Sequence, residues 1–282
     1  MEILTDEILK KVIQKRASAS HKGTYGRVLI VGGSANFGGA AIMNALGAVQ
    51  AGAGLVSVAT DPSNFAALHA QLPEAMVTDY QQDFSDLMAK QEVILIGSGL
   101  GNQLDILKRV LERVQKNQIL ILDGSALTML SQNPIKLPDC QLIMTPHQME
   151  WQRIGEVPIA DQSREDANWE ALVNFQPEPI LVLKSNHTQV YAENCVHQLS
   201  VGGPYQATGG MGDTLAGIIA GFVAQFKPLK DAVLAATYIH SAIAEELSKK
   251  AFVTLPTTIS AQLPYYMKKY EALQPEDMPI KG

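Results

Sequence analysis

Residues 208–223 read Thr-Gly-Gly-Met-Gly-Asp-Thr-Leu-Ala-Gly-Ile-Ile-Ala-Gly-Phe-Val. Three glycines and one acid lead straight into a run of small and apolar residues. A helix that is apolar on every side has to be covered on every side. This one therefore belongs to the interior of a layered structure. Glycines at its start let the backbone turn tightly and let a ligand approach closely. The first amides of a helix have no internal partner, and with the helix dipole they form an anion site. Asp213 stands where a carboxylate can take the proton of a hydroxyl that attacks a phosphoryl group held there. Gly and Asp also serve as plain capping residues at helix starts. The glycine run together with the all-apolar helix favours the chemical reading.

Outward from this segment, the chain alternates strands and helices. Six short runs rich in Val, Ile and Leu, at 28–31, 55–59, 93–96, 119–122, 142–144 and 180–183, read as parallel strands covered on both faces. Helical patterns lie between most of them, at 40–51, 104–114 and 164–173. In the second of these, Leu104, Leu107, Val110, Leu111 and Val114 fall at helical spacing. The alternation predicts an α/β chain with a three-layer αβα fold and a mainly parallel central sheet, with right-handed crossovers. Residues 184–200 alternate instead, and predict a hairpin at the sheet edge that turns at Ser185 and Asn186 and returns near Glu193 and Asn194. Two helices follow from Gly210 to about Leu247, with a break near Lys227 and Pro228. Leu255 and Pro256 then open a last helical segment toward Tyr270. With no repeat and no long linker, residues 1–282 read as a single domain.

The totals exclude several classes. The chain has 282 residues, 46% hydrophobic and 18% charged, with a formal net charge of -6. That is a globular composition without the electrostatic footprint of a nucleic-acid binder. An anionic ligand must be held against this field by local amides or a few placed cations. Cys140 and Cys195 have no paired spacing, so neither a disulfide framework nor a zinc site follows from it. Residues 1–11 carry acids and no long apolar run, and nowhere do about 18 apolar residues follow one another. A cytoplasmic setting with no membrane partner is expected. Gly32, Gly33, Gly38 and Gly39 do not fit the dinucleotide spacing, and no P-loop occurs. Thr145-Pro146-His147-Gln148 fits a capping box with proline at the first helical position, a pattern that does not ask for His147. Lys184 ends a strand, either as a solvated lysine or as the first residue of a loop that offers a cation, amides and hydroxyls to a nucleotide.

Gly209-Gly210-x-Gly212-Asp213 resembles the anion-hole and base signature of ribokinase-like enzymes. Among them the chain resembles the NAD(P)H-hydrate dehydratases. The further matches are His21-Lys22-Gly23-Thr24-Tyr25-Gly26, Gly32-Gly33-Ser34, Gly97-Ser98-Gly99-Leu100-Gly101, Leu122-Asp123-Gly124-Ser125, Thr145-Pro146-His147 and Tyr238-Ile239-His240. They run through nearly the whole chain in the family's order.

The resemblance implies a nucleotide-dependent dehydration of the S epimer of NADH or NADPH hydrate, a repair of damaged cofactor. The hydroxyl on C6 is phosphorylated and phosphate then leaves, with ADP giving AMP in bacterial-type members and ATP serving in eukaryotic-type ones. It implies Asp213 as catalytic base and Gly210, Met211 and Gly212 as anion hole. Ala40, Gly99 and His147, with Asp213, are implied on the substrate. Lys184, Ser185, Asn186, His187, Thr188 and Gly212 are implied on the nucleotide. Mg2+ is the implied cofactor, with no ligand set assigned. A homo-oligomer and a separate hydrate epimerase are the implied partners. The chain departs from the family pattern at Met211, where Thr is usual, at Gln148-Met149 for Pro-Gly, at Ser185 for Gly, and at Gly203-Pro204 for Asn-Gly. Two rivals share the glycine-acid motif or the nucleotide site: a small-molecule kinase of the same fold, which would leave a stable phosphate ester, and a nucleotide sensor, which would turn nothing over.

Overall fold

The Val-, Ile- and Leu-rich runs form the middle of a ten-stranded sheet in the computed structural model, which describes residues 1–271. The strands are β1 (Glu2–Leu4), β2 (Arg27–Val31), β3 (Leu55–Thr60), β4 (Met76–Asp79), β5 (Val93–Ile96), β6 (Ile119–Leu122), β7 (Gln141–Met144), β8 (Ile180–Leu183), β9 (Gln189–Ala192) and β10 (Cys195–Leu199). Their order across the sheet is β1-β10-β9-β8-β7-β6-β5-β2-β3-β4. Neighbours are parallel except at β8–β9 and β9–β10. In β2, Val28 and Ile30 face one helical layer while Leu29 and Val31 face the other, all fully buried. Two covered faces explain why the run has no polar alternation.

The helices are α1 (Glu7–Val12), α2 (Gly38–Gln50), α3 (Phe65–Gln71), α4 (Ser85–Met88), α5 (Leu104–Leu111), α6 (Ser125–Gln132), α7 (Gln148–Ile154), α8 (Glu165–Leu172), α9 (Met211–Gln225), α10 (Leu229–Ser248) and α11 (Pro256–Glu271). Helices α1, α2, α9, α10 and α11 supply the core on one face of the sheet. Helices α5 to α8 supply the other. The three layers are those expected. From Thr214 to Val223 every residue of α9 is buried. It packs on β2, β5 and β6, flanked by α2 and α10. A Cβ at Gly217 would lie 2.1 Å from the carbonyl oxygen of Asn44 on α2, so these two helices meet backbone to backbone.

Two strands were not expected. β1 is three residues long and β4 reads Met-Val-Thr-Asp, too short or too polar to show a period. β1 pairs in parallel with β10, Glu2 opposite His197 and Leu4 opposite Leu199. The expected hairpin is therefore a three-stranded antiparallel unit, β8–β9–β10, and β1 rather than the hairpin forms that edge of the sheet. Its second turn lies at Glu193 and Asn194, both with positive φ, 50° and 60°, the conformation a tight hairpin turn needs. Among the described residues, no helix is long and apolar enough to cross a membrane.

Candidate active site

From β2 the chain winds outward to β3 and β4, then returns to the other side of β2 at β5. The C-terminal ends of β2 and β5 thus form a topological switch point, where crevices open in such sheets. Gly97 and Gly99 follow β5 with φ of 125° and 62°, values that favour glycine. A Cβ on Gly99 would lie 2.7 Å from that of Ala40, so these two residues touch at the switch point.

The start of α9 arrives at the same end of the sheet. Gly210 is its N-cap, left-handed at φ 88°, and no side chain caps the helix. Its first turn holds Met211, Gly212 and Asp213. Asp213 is not used as a cap, and the orphan amides remain available. Burial, and then the charge of Asp123, push the Asp213 carboxyl up to about 6; Lys184 opposes this and Glu150 adds to it. The side chain of Asn44 donates to the Asp213 carbonyl at 2.5 Å and ties the turn to α2.

Lys184 follows β8. Its backbone N–H donates to Pro146 O at 2.9 Å, which sets His147 and Lys184 side by side as a parallel bridge. Its Nζ lies 3.0 Å from Asp123 Oδ1, with the two side chains 18% and 3% exposed. A Cβ on Gly212 would sit 3.0 Å from the same Nζ, so the ammonium rests against the first turn of α9. Burial disfavours this charge, but Asp123, Glu150 and Asp213 outweigh it and hold the lysine above its ordinary value. Asp123 also accepts from Ser98 Oγ and Thr145 Oγ1, each at 2.7 Å. Lys184 is thus not the solvated strand end that was one of its two readings.

The expected capping box of Thr145 and Gln148 does not form. Thr145 is spent on Asp123 and Pro146 O on Lys184, so the extended backbone continues and His147 becomes the N-cap of α7. His147 Nδ1 accepts from the Glu150 N–H at 3.1 Å, and the Glu150 carboxylate accepts from the His147 N–H at 2.8 Å. With Nδ1 accepting, Nε2 is the nitrogen left to donate, and it lies 3.3 Å from Glu150 Oε1.

A cavity of about 700 Å³ gathers His147 and the 184–188 loop against Met211 and Gly212. Ala40, Gly99, Gly210 and Asp213 are not among its lining residues. Asp213 is tied to α2 by the bond from Asn44 to its carbonyl and to Lys184 by charge. Two residues that sequence reasoning left without a role belong here. Asp123 could have been found as an acid directly after an all-apolar strand, since a buried charge needs a partner. His240, from the middle of α10, lines the cavity; burial and then Lys184 push it down to about 4, and its Nε2 has no partner among the described residues.

A doubly covered sheet with a glycine-led helix start, an uncapped first turn and a part-buried carboxylate at its strand ends defines a ribokinase-like protein. The profile of the NAD(P)H-hydrate dehydratase family matches residues 28–265. An ADP-dependent (S)-NAD(P)H-hydrate dehydratase of Streptococcus thermophilus is 51% identical over 94% of this chain and 98% of its own length. One of Streptococcus pneumoniae is 50% identical over 95% of each. Among solved structures, a ribokinase-like superfamily protein of Enterococcus faecalis superposes with a TM-score of 0.92 at 44% identity, covering 96% of both chains. An ADP/ATP-dependent NAD(P)H-hydrate dehydratase of Bacillus subtilis, co-crystallized with ATP/Mg2+, gives 0.84 at 29% identity over 96% of this chain and 99% of its own. The chain belongs to the NAD(P)H-hydrate dehydratase family.

Proposed function

We propose that this chain dehydrates the S epimer of NADH or NADPH hydrate at the expense of ADP, giving the reduced cofactor, AMP and phosphate. The observation that carries the reading is Asp213, a part-buried carboxylate pushed up to about 6 in the first turn of a helix that no side chain caps. A base with that value is mostly ionised at neutral pH yet holds a proton well enough to take one from an alcohol.

The C6 hydroxyl of the hydrate attacks the β-phosphorus of ADP, and the bond from that phosphorus to the bridging oxygen of AMP breaks. Asp213 takes the hydroxyl proton. The amides of Gly210, Met211 and Gly212 hold the transferring oxygens, with Lys184 beside them. The ring nitrogen then expels phosphate from C6, and loss of a proton from C5 restores the dihydronicotinamide. On the substrate side, Ala40 and Gly99 leave room at the switch point, and His147 offers its Nε2–H. On the nucleotide side, Lys184, Ser185, Asn186, His187 and Thr188 with Gly212 line one cavity, which supports their assignment. Within that loop Ser185 Oγ accepts from the His187 N–H at 3.1 Å and Thr188 Oγ1 donates to Ser185 O at 3.3 Å, so it is already folded on itself.

Magnesium fits this donor set. Asp123, Glu150 and Asp213 all act on the single ammonium of Lys184, so the cluster carries an excess of negative charge. An ion held mainly by phosphate oxygens and water beside this cluster would supply charge neutralisation on the nucleotide.

The continuous sheet from Glu2 to Leu199 supports one domain for the whole chain. The exposed Phe252, Val253 and Leu255 support a homo-oligomer. Selectivity for the S epimer supports a separate epimerase as partner, in the cytoplasm where the reduced cofactors are used. The test is incubation with prepared NADH hydrate, Mg2+, and ADP or ATP in turn. Free phosphate with regained dihydronicotinamide absorbance, larger with ADP, is expected. A stable phosphate ester would make the chain a kinase, and nucleotide binding without turnover a sensor.

A further inference from the structure

The β1–β10 edge sets three metal-ligating side chains on one face of the sheet. Cys195 and His197 are two residues apart on β10, so both point the same way. Glu2 pairs with His197 across the parallel ladder and shares that face. The thiol sulfur, an imidazole nitrogen and a carboxylate oxygen lie within 4.8 Å of one another. His197 Nδ1 is 3.4 Å from Glu2 Oε2.

Outside the cluster, the Cys195 thiol makes one long contact, donating to Val196 O at 3.9 Å. The cluster is graded from a buried His197 through a half-buried Cys195 to an exposed Glu2, so it is open to solvent on one side. His197 is 8% exposed, and its Nε2 has no hydrogen-bond partner among the described residues. The cations that face it are held by other acids. The Met1 amine lies 3.5 Å from Glu165 and Lys230 lies 2.6 Å from Glu193, while the facing carboxylate of Asp231 is taken by Lys11 at 2.7 Å. Among the described residues, the Glu2 carboxylate is within ion-pair distance of His197.

We propose that Glu2, Cys195 and His197 form a site for a thiophilic divalent cation of the zinc type, separate from the phosphoryl-transfer site. Thiolate, imidazole and carboxylate are the donors such an ion takes in tetrahedral geometry, at about 2.0–2.3 Å, with water in the fourth position. The ligand atoms must close toward the ion, and the exposed Glu2 side chain is free to do so. On binding, the Cys195 S–H bond breaks, sulfur bonds the metal and a proton leaves to solvent. Spacing along the chain did not reveal the site because Glu2 comes from the far end of the sequence, brought in by strand pairing. The bound ion would clamp β1 to β10, whose next residues, 201–203, line the nucleotide cavity.

The test uses the full chain with no tag ahead of Met1, titrated with Co2+ alone and then displaced with Zn2+. The expected result is a thiolate-to-cobalt charge-transfer band with tetrahedral visible bands, saturating at one ion per chain and bleached by zinc. Cys195→Ser should abolish the charge-transfer band, whereas Cys140→Ser, which changes the other thiol, should keep it. Zinc should raise the Tm of wild type but not of Cys195→Ser. Glu2→Gln, at an exposed position that leaves the fold intact, should weaken binding at least about tenfold, the order seen when groups around a metal are removed. Absence of the band in wild type, its survival in Cys195→Ser, or unchanged affinity in Glu2→Gln would each overturn the site. None of these readouts depends on turnover of the hydrate.

Discussion

The two ends of α9 open on cavities of nearly the same volume, about 700 Å³ at its first turn and about 690 Å³ at its last. At the last turn the polar groups are matched. The Arg16 guanidinium donates to Gly52 O and, at 2.9 Å, to Gln225 Oε1, and it lies 3.9 Å from the centre of the Tyr25 ring. Gln225 in turn donates to Ala51 O and Gly221 O. A cation there also suits the negative ends of α2 and α9. At the first turn the opposite holds. The helix has no side-chain cap, His240 Nε2 has no partner among the described residues, and three carboxylates share one lysine. Two hollows of equal size thus differ in what they leave unmatched, and only the first has groups in reserve for a ligand.

The largest effect should come from Asp213→Asn. Removal of a general base typically costs about 10²–10⁴-fold, so turnover should fall by at least about two orders of magnitude. The substitution keeps the size of the side chain, and near-normal turnover would break the contrast between the two ends of α9. The same variant tests the charge. Asp213 has a folded value of about 6, above that of an ordinary carboxyl. The folded chain therefore binds its proton more tightly, and stability falls as pH rises from about 4 to 6 and stays reduced above that window. The variant should be more stable than wild type at pH 7–8 by roughly 1–2 kcal/mol, allowing for partial exposure, with the gain gone near pH 4. Wild-type turnover should decline as pH drops below about 6, where the base protonates.

Next comes Lys184→Ala. It should weaken ADP binding by about tenfold, the value of one charge-assisted contact, and leave Asp123 buried without its cation. The stability cost should be roughly 2 kcal/mol, less than for a fully buried pair. Adding Asp123→Asn should recover stability in a melting experiment but not affinity in calorimetry. Recovery of both would mean that the lysine serves the fold alone. A smaller loss is expected for Asn44→Ala, which moves the base without removing it: about 1 kcal/mol of stability and a several-fold drop in turnover. The smallest effect should be that of Arg16→Ala in the matched cavity. Its Tm should fall slightly while turnover and ADP affinity stay at wild-type values, and a large loss of turnover would make the second cavity part of the reaction.

How much of this was legible depended on where each residue's partners come from. The six inner strands could be read because both faces are covered and the side chains say so within four or five residues. β1 and β4 could not, since three or four residues at an edge carry no period. The start of α9 was legible because glycine, acid and apolar helix are contiguous. Asp123 was legible only as a buried acid in need of a partner, since Ser98, Thr145 and Lys184 arrive from the ends of three other strands. Thr145 was misread as a cap for the same reason: its local pattern is right, and a tertiary partner claims the hydroxyl first. His240 stood in a matched segment, Tyr238-Ile239-His240, but nothing in a mostly buried helix said that its ring reaches the cavity.

The bond from Lys184 N–H to Pro146 O joins the residue before His147 to the first residue of the loop proposed for the nucleotide. A ligand that shifts either peptide shifts the other. Such coupling between binding sites is reciprocal. Whatever factor the hydrate applies to ADP affinity, ADP should apply to hydrate affinity. In calorimetry, the fold-change in ADP affinity with hydrate present should equal the fold-change in hydrate affinity with ADP present.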